Sequence, residues 1–228
     1  SRSSESTIPP VLLLAHRRPD TTRKVLEAIR QARPQILYVF CDGPKDRDAE
    51  MAKSVDNTRA QIEALIDWGC EVHRWYPSTN LGLRRGVNLA LGWVFSQVPS
   101  GIILEDDCVP HEDFFGFCEQ LLERFRDEKR VWLISGDNSR ELPVDGSHSY
   151  GFLSDPLVWG WASWRDRWFK HDQTMSDWSD LRKPWRLKKV FPNPLHRAKR
   201  RMDLDFKAGS TWDYQFLLSV NRHQGLCV

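Results

Sequence analysis

The chain has 228 residues, 40% of them hydrophobic and 28% charged, and its 33 basic and 31 acidic side chains leave a formal net charge of +2. This is the profile of a globular chain able to bury a substantial core, and so small a net charge gives no field that argues for a polyanionic partner. Its apolar runs are too short or too mixed to cross a bilayer, and no signal-peptide pattern opens the chain.

Residues 1–10 are Ser-rich, end in Pro-Pro, and read as a disordered lead-in to a domain over 11–228. Val11–Ala15 is the first expected strand. Asp20 is placed to cap a helix that buries Val25, Ala28, Ile29 and Ala32, with Pro34 ending it before a second strand at Ile36–Cys41. Asp42-Gly43-Pro44 turns the chain. A helix is expected over 51–68, a strand over 71–75, a helix over 84–95 and a strand over 101–104. After the acidic triplet Glu105-Asp106-Asp107 come a helix over 114–125 and a β-rich run over 131–135. Strands alternating with helices make this an α/β domain.

Five polar clusters follow directly on expected strands: His16-Arg17-Arg18, Asp42-Gly43, Asn80-Leu81-Gly82, Glu105-Asp106-Asp107 and Gly136-Asp137-Asn138. In an open α/β sheet that edge is where ligands bind. The triplet carries the sharpest chemistry. Three successive carboxylates repel one another unless a cation or hydrogen-bond donors offset them. Oxygen ligands suit Mg²⁺ or Mn²⁺, which keep several waters and bridge to substrate phosphates. Such an ion would stabilise charge growing on a departing nucleotide diphosphate. The plain alternative is an exposed acidic loop ahead of the helix that begins near Glu112.

Other features bound the reading. Five cysteines without a Cys-x-x-Cys pair suggest neither a disulfide framework nor a thiolate zinc site, and a reducing compartment, the cytoplasm, is expected. The segment 182–201 carries nine Lys and Arg and no acid. It reads as a solvated helical face, or as a contact with an acidic membrane surface such as the inner membrane face, with an anionic acceptor or with donor phosphates. Nucleic acid is not expected, because prolines interrupt the basic run and no recognition motif accompanies it. Eleven tryptophans are many for this length. Trp161, Trp164 and Trp168 recur at helix-like spacing; Trp164 and Trp168 are assigned to packing, while Gly160 and Trp161 stay as sugar-binding candidates.

Taken together, Val11-Leu-Leu-Leu-Ala-His-Arg-Arg18, Cys41-Asp-Gly43, Asn80-Leu-Gly-Leu83, Ile103-Leu-Glu-Asp-Asp-Cys108 with Phe114-Phe115, Trp159-Gly-Trp161 and Trp212-Asp-Tyr-Gln-Phe216 resemble the GT-A glycosyltransferases. The similarity is to the group of the N-acetylglucosaminyltransferase that initiates complex N-glycans, and to bacterial nucleotide-diphospho-sugar transferases. It spans most of 11–228. It implies a Rossmann-like, mixed but mostly parallel sheet flanked by helices, with a nucleotide-binding half at 11–138 and an acceptor-side half at 139–228. The implied activity is metal-dependent, inverting transfer of a sugar from a nucleotide diphosphate donor, UDP above all, to a carbohydrate or glycan acceptor.

Residue by residue, the resemblance makes Asp107 the ligand to Mn²⁺ or Mg²⁺ and has Glu105 and Asp106 orient ribose and sugar. It puts Arg18 near the donor phosphates and Asp42 where it could accept from the uracil ring N–H. Read from the residues alone, Arg18 is equally a surface arginine beside Pro19, and Asp42 the first residue of a turn. Asp137 and Asn138 are donor-sugar candidates or an ordinary Asx turn. Asp213 matches the base position that an inverting transfer needs, or it is an acid favoured at a helix start. The absence of an amino-terminal anchor and of paired cysteines fits the bacterial relatives better, and a further segment beyond Val228 is expected to close the site.

Rival readings are weaker. A sugar-nucleotide pyrophosphorylase needs a Gly-rich phosphate loop after the first strand, and His16-Arg17-Arg18-Pro19 cannot supply one. Phosphate-loop kinase and dinucleotide dehydrogenase motifs do not occur. A sugar-nucleotide-binding module without turnover is the non-enzymatic alternative.

Overall fold

The computed structural model describes residues 8–137, 139 and 149–228. In chain order the elements are β1 (Val11–Ala15), α1 (Pro19–Ala32), β2 (Ile36–Cys41), α2 (Ala49–Leu65), β3 (Glu71–Trp75), α3 (Leu83–Gln97), β4 (Ser100–Glu105), α4 (Asp113–Arg124), β5 (Val131–Ser135), β6 (Trp161–Trp164), α5 (Arg165–Trp168), α6 (Trp178–Leu181), α7 (Pro184–Val190), α8 (Pro194–Phe206), α9 (Asp213–Arg222) and β7 (Leu226–Cys227). The strands form one seven-stranded sheet in the order β3-β2-β1-β4-β6-β5-β7. Only β6 runs against its neighbours; every other pairing is parallel. The fold is therefore a Rossmann-like α/β sheet, mixed and mostly parallel, flanked by helices.

The central strands are apolar along their whole length because helices cover both faces. Val11, Leu13 and Ala15 of β1 point to one side, with Leu37, Val39 and Cys41 of β2, and pack beneath α1, α2 and α4. Leu12, Leu14, Tyr38 and Phe40 point to the other, beneath α3 and α9. At about 25 cal/mol per Å² of apolar surface removed from water, these two layers supply most of the driving force. A third, smaller cluster around Leu187, Phe191, Leu204 and Leu218 holds α7, α8 and α9 together.

Local chemistry sets the boundaries. Helix α1 starts at Pro19, favoured in the first helical position because it has no N–H to leave unbonded, so Arg18 is the capping position and Asp20 lies inside the first turn. Helix α2 begins at Ala49 because the Asp48 carboxylate accepts from Met51 N at 2.8 Å. It stops at Leu65, and Trp68, expected inside the helix, is instead buried beyond it with its indole N–H donating to Pro34 O.

The segment around Trp161 differs most from expectation. Trp161 and Trp164 belong to a strand, where residues three apart face opposite sides, and they enter the two different core layers. Trp168 is in the short helix that follows.

Candidate functional site

Strand order reverses between β1 and β4: from β1 the chain winds outward to β2 and β3, while β4 lies on its other side. The crevice beyond the carboxyl ends of β1 and β4 is the place where such sheets bind ligands. Arg18 leaves β1 there and the acidic triplet leaves β4. The Arg18 guanidinium spans the two last acids, donating to Asp106 at 2.5 Å and to Asp107 at 2.7 Å. His16 N adds a hydrogen bond to Asp106 at 3.2 Å. Asp106 is buried, while Asp107 is substantially exposed.

One guanidinium does not neutralise this site. Burial first, and then the charges of Asp107 and Asp106, push Glu105 up to about 7, and Asp213 adds to the effect. Asp213 at the start of α9 is thus part of the same electrostatic neighbourhood. Burial also holds Asp106 above its ordinary range, in spite of the opposing pull of Arg18.

Two cavities border the triplet, one at Glu105 and Asp106 and the other at Asp107. The inner one, about 440 Å³, is bordered by His16, Arg18, Asp42, Asn80, Glu105 and Asp106. Asp42 is buried in its wall. One of its carboxylate oxygens accepts from Gly43 N at 2.8 Å and Leu81 N at 2.9 Å, and the other from Asn80 Nδ2 at 3.0 Å and Gly82 N at 3.1 Å. A carboxylate has about four lone-pair sites, and in this structure these four donors occupy them. Asp42 thereby organises the 80–82 turn at the wall of the inner cavity.

The outer cavity, about 1000 Å³, lies on the far side of the triplet and is bordered by Asp107, Phe114, Asp137, Tyr150, Trp159 and Gly160. Gly160 has φ +72°, a conformation that favours glycine, and its carbonyl accepts from Gly136 N at 2.7 Å. At Gly136 a Cβ would stand 2.7 Å from the Phe114 ring, so two glycine backbones close this corner. Asp137 accepts from Ser139 N at 2.8 Å and Ser139 Oγ at 3.0 Å, the Asx turn that its position allowed. Asn138 lies outside the described residues.

Trp161 is fully buried and stacks on Trp212. The exposed aromatic of that motif is Trp159. Sequence reasoning did not single out His16, Asn80 or Trp159 individually; position after a strand end, or beside Gly160, was the signal that could have found them.

Among the described residues no group of three His, Cys, Asp or Glu side chains is arranged to hold a metal unaided. The site nevertheless suits a cation that brings most of its own ligands. Acidic charge exceeds what Arg18 offsets, and Asp107 opens toward the outer cavity. Water and phosphate oxygens would complete the shell, the usual manner of Mg²⁺ and Mn²⁺.

No family model matches the chain, and no curated protein matches it. Among solved structures it is similar to a mannosyltransferase from Pyrobaculum calidifontis in complex with GDP-Man and Mn²⁺, at 14% identity and a TM-score of 0.34 over 56% of this chain and 35% of that one. It is also similar to a 4-diphosphocytidyl-2C-methyl-D-erythritol synthase from Anaerococcus prevotii, at 9% identity and a TM-score of 0.36 over 69% of this chain and 72% of that one. The first match thus spans about a third of its counterpart.

Proposed function

We propose that the chain is a glycosyltransferase domain that moves a sugar from a nucleotide diphosphate donor to an acceptor hydroxyl with the help of a divalent cation. The observation that carries this reading is the acidic triplet at the sheet's switch point, set between two cavities and bridged to the β1 loop by Arg18. In this reading the inner cavity takes the nucleoside, with Glu105 and Asp106 beside the ribose, and the outer cavity takes the donor sugar and the acceptor.

Asp107 would hold the cation, which when bound supplies a positive charge to offset the growing charge of the leaving diphosphate. Arg18 has a second part in the same scheme. Phosphates arriving at the triplet would compete for its guanidinium, a fork suited to bidentate contact with phosphate. Asp213 would take the proton from the attacking acceptor hydroxyl, which makes the transfer inverting. Asp137 and the backbone at Gly160 would border the transferred sugar, and Trp159 would offer its ring face to a sugar.

The experiment is a panel of UDP-, GDP- and CDP-sugars, assayed for hydrolysis and for transfer to mixed glycan acceptors, with and without Mn²⁺. Metal-stimulated release of nucleoside diphosphate from one donor class is the expected result. Tight donor binding with no release under any condition would replace the enzyme by a binding module.

A further inference from the structure

The 182–206 region carries a surface that the catalytic proposal leaves unused. On α8, Leu195, Lys199, Met202 and Phe206 fall at i, i+4, i+7 and i+11, one face of a helix. Leu195, Met202 and Phe206 are 84%, 57% and 81% exposed, so this face has no cover among the described residues. On α7, Trp185 is exposed with Lys188 and Lys189, while Leu187 points inward.

The charges are sorted by side. The acids of α8 are turned inward: Asp203 is buried and pairs with Lys207 at 2.9 Å, and Asp205 accepts from Arg182 and from the Trp178 indole, each at 2.9 Å. Asp180 takes up Lys183 and Arg186, and Arg200 turns inward to Asp155. Lys188, Lys189 and Lys199 are exposed, and none makes an ion pair among the described residues. The outward charge of this surface is therefore positive, although the chain as a whole is close to neutral.

We propose that the outer faces of α7 and α8 dock on an anionic lipid surface, with Leu195, Met202 and Phe206 entering the headgroup boundary and Lys188, Lys189 and Lys199 meeting lipid phosphates. A lysine in the middle of an apolar stripe suits this partner, since its stem lies along acyl chains while its ammonium reaches the phosphate level. A dry protein interface would have to bury the same charge. Tryptophan is at home at the membrane interface. No helix among the described residues is long and apolar enough to cross a membrane, so contact through these faces would be along the surface. The inference is independent of the glycosyltransferase reading.

The test is co-sedimentation with phosphatidylcholine vesicles, with or without phosphatidylglycerol, at low and high salt. Partitioning to the anionic vesicles alone, weakened by salt, is expected. Met202→Glu/Phe206→Glu and Lys188→Glu/Lys189→Glu/Lys199→Glu should each reduce it at least about tenfold, with circular dichroism and Tm unchanged. Failure to partition to anionic vesicles, or unaltered partitioning of the Met202→Glu/Phe206→Glu variant, overturns the proposal. So does a dimer abolished by that variant in a protein that ignores vesicles, because a second copy would then be the cover.

Discussion

The indole rings of Trp161 and Trp212 lie stacked, 5.7 Å between centroids and 19° between planes. The pair joins the first residue of β6 to the residue just before α9, and so fixes where Asp213 leaves the core. Trp161→Ala removes the larger part of this contact from a fully buried position, at a cost of about 3–5 kcal/mol. Thermal unfolding should shift down by about 10 °C or more. In the surviving fold, turnover should fall further than donor affinity, since the displaced group is the proposed base.

Asp213→Asn keeps the side-chain shape and removes the proton acceptor. Turnover should drop by at least about 100-fold while donor affinity measured by calorimetry stays within twofold. A variant that turns over normally removes Asp213 from the chemistry.

Asp107→Ala separates chemistry from folding. The side chain is exposed and its ion pair with Arg18 is at the surface, so the stability change should be within about 1 kcal/mol. Stimulation of donor binding by Mn²⁺ should vanish. Calorimetric titration with and without the metal decides it, and unchanged stimulation would break the proposed function at its centre.

Asp42→Ala is expected to behave in the opposite way. Four donors lose their acceptor at once, two of them on the 80–82 turn's own backbone, and the fold should lose about 3 kcal/mol or more. Chemical denaturation reads this directly. A stable variant with altered preference among nucleoside bases would instead give Asp42 the base contact that the resemblance implies.

His171 supplies a pH prediction. Burial lowers its pKa to about 4, and its Nδ1 lies 3.1 Å from Ser219 Oγ. The unfolded chain therefore binds more protons at this residue between about pH 6.5 and pH 4, and stability should fall as pH drops through that window. The loss approaches roughly 3 kcal/mol when fully developed. His171→Gln should flatten the acid limb of a stability-versus-pH curve; an identical slope in the two proteins would rule the residue out.

Much of this arrangement is written in local pattern. The β1, β2, β4 and β5 runs are short, apolar and bounded by turn residues, and the polar residues after them fall at one edge because parallel strands share a direction. What could not be read locally is pairing between distant segments. Nothing beside Asp42 in sequence announces that Leu81 and Gly82, about forty residues on, supply half its hydrogen bonds. Trp161 misled for a related reason: its spacing to Trp164 and Trp168 fits a helical stripe, and only the antiparallel partners on β4 and β5 make it a strand.

The hydrogen bond between Gly136 and Gly160 also bears on how the domain can diversify. It closes the long excursion from β5 to β6 at its base, just where the sheet ladder ends at Ser135 and Trp161. Beyond that closure the chain is tied back again, at Leu153, which exchanges backbone hydrogen bonds with Cys227, at Asp155, which pairs with Arg200, and at Val158, which is buried in the core. Under the proposed function, a change of acceptor preference on an unaltered scaffold is therefore to be sought at Asp137 and Trp159, which border the outer cavity outside those ties.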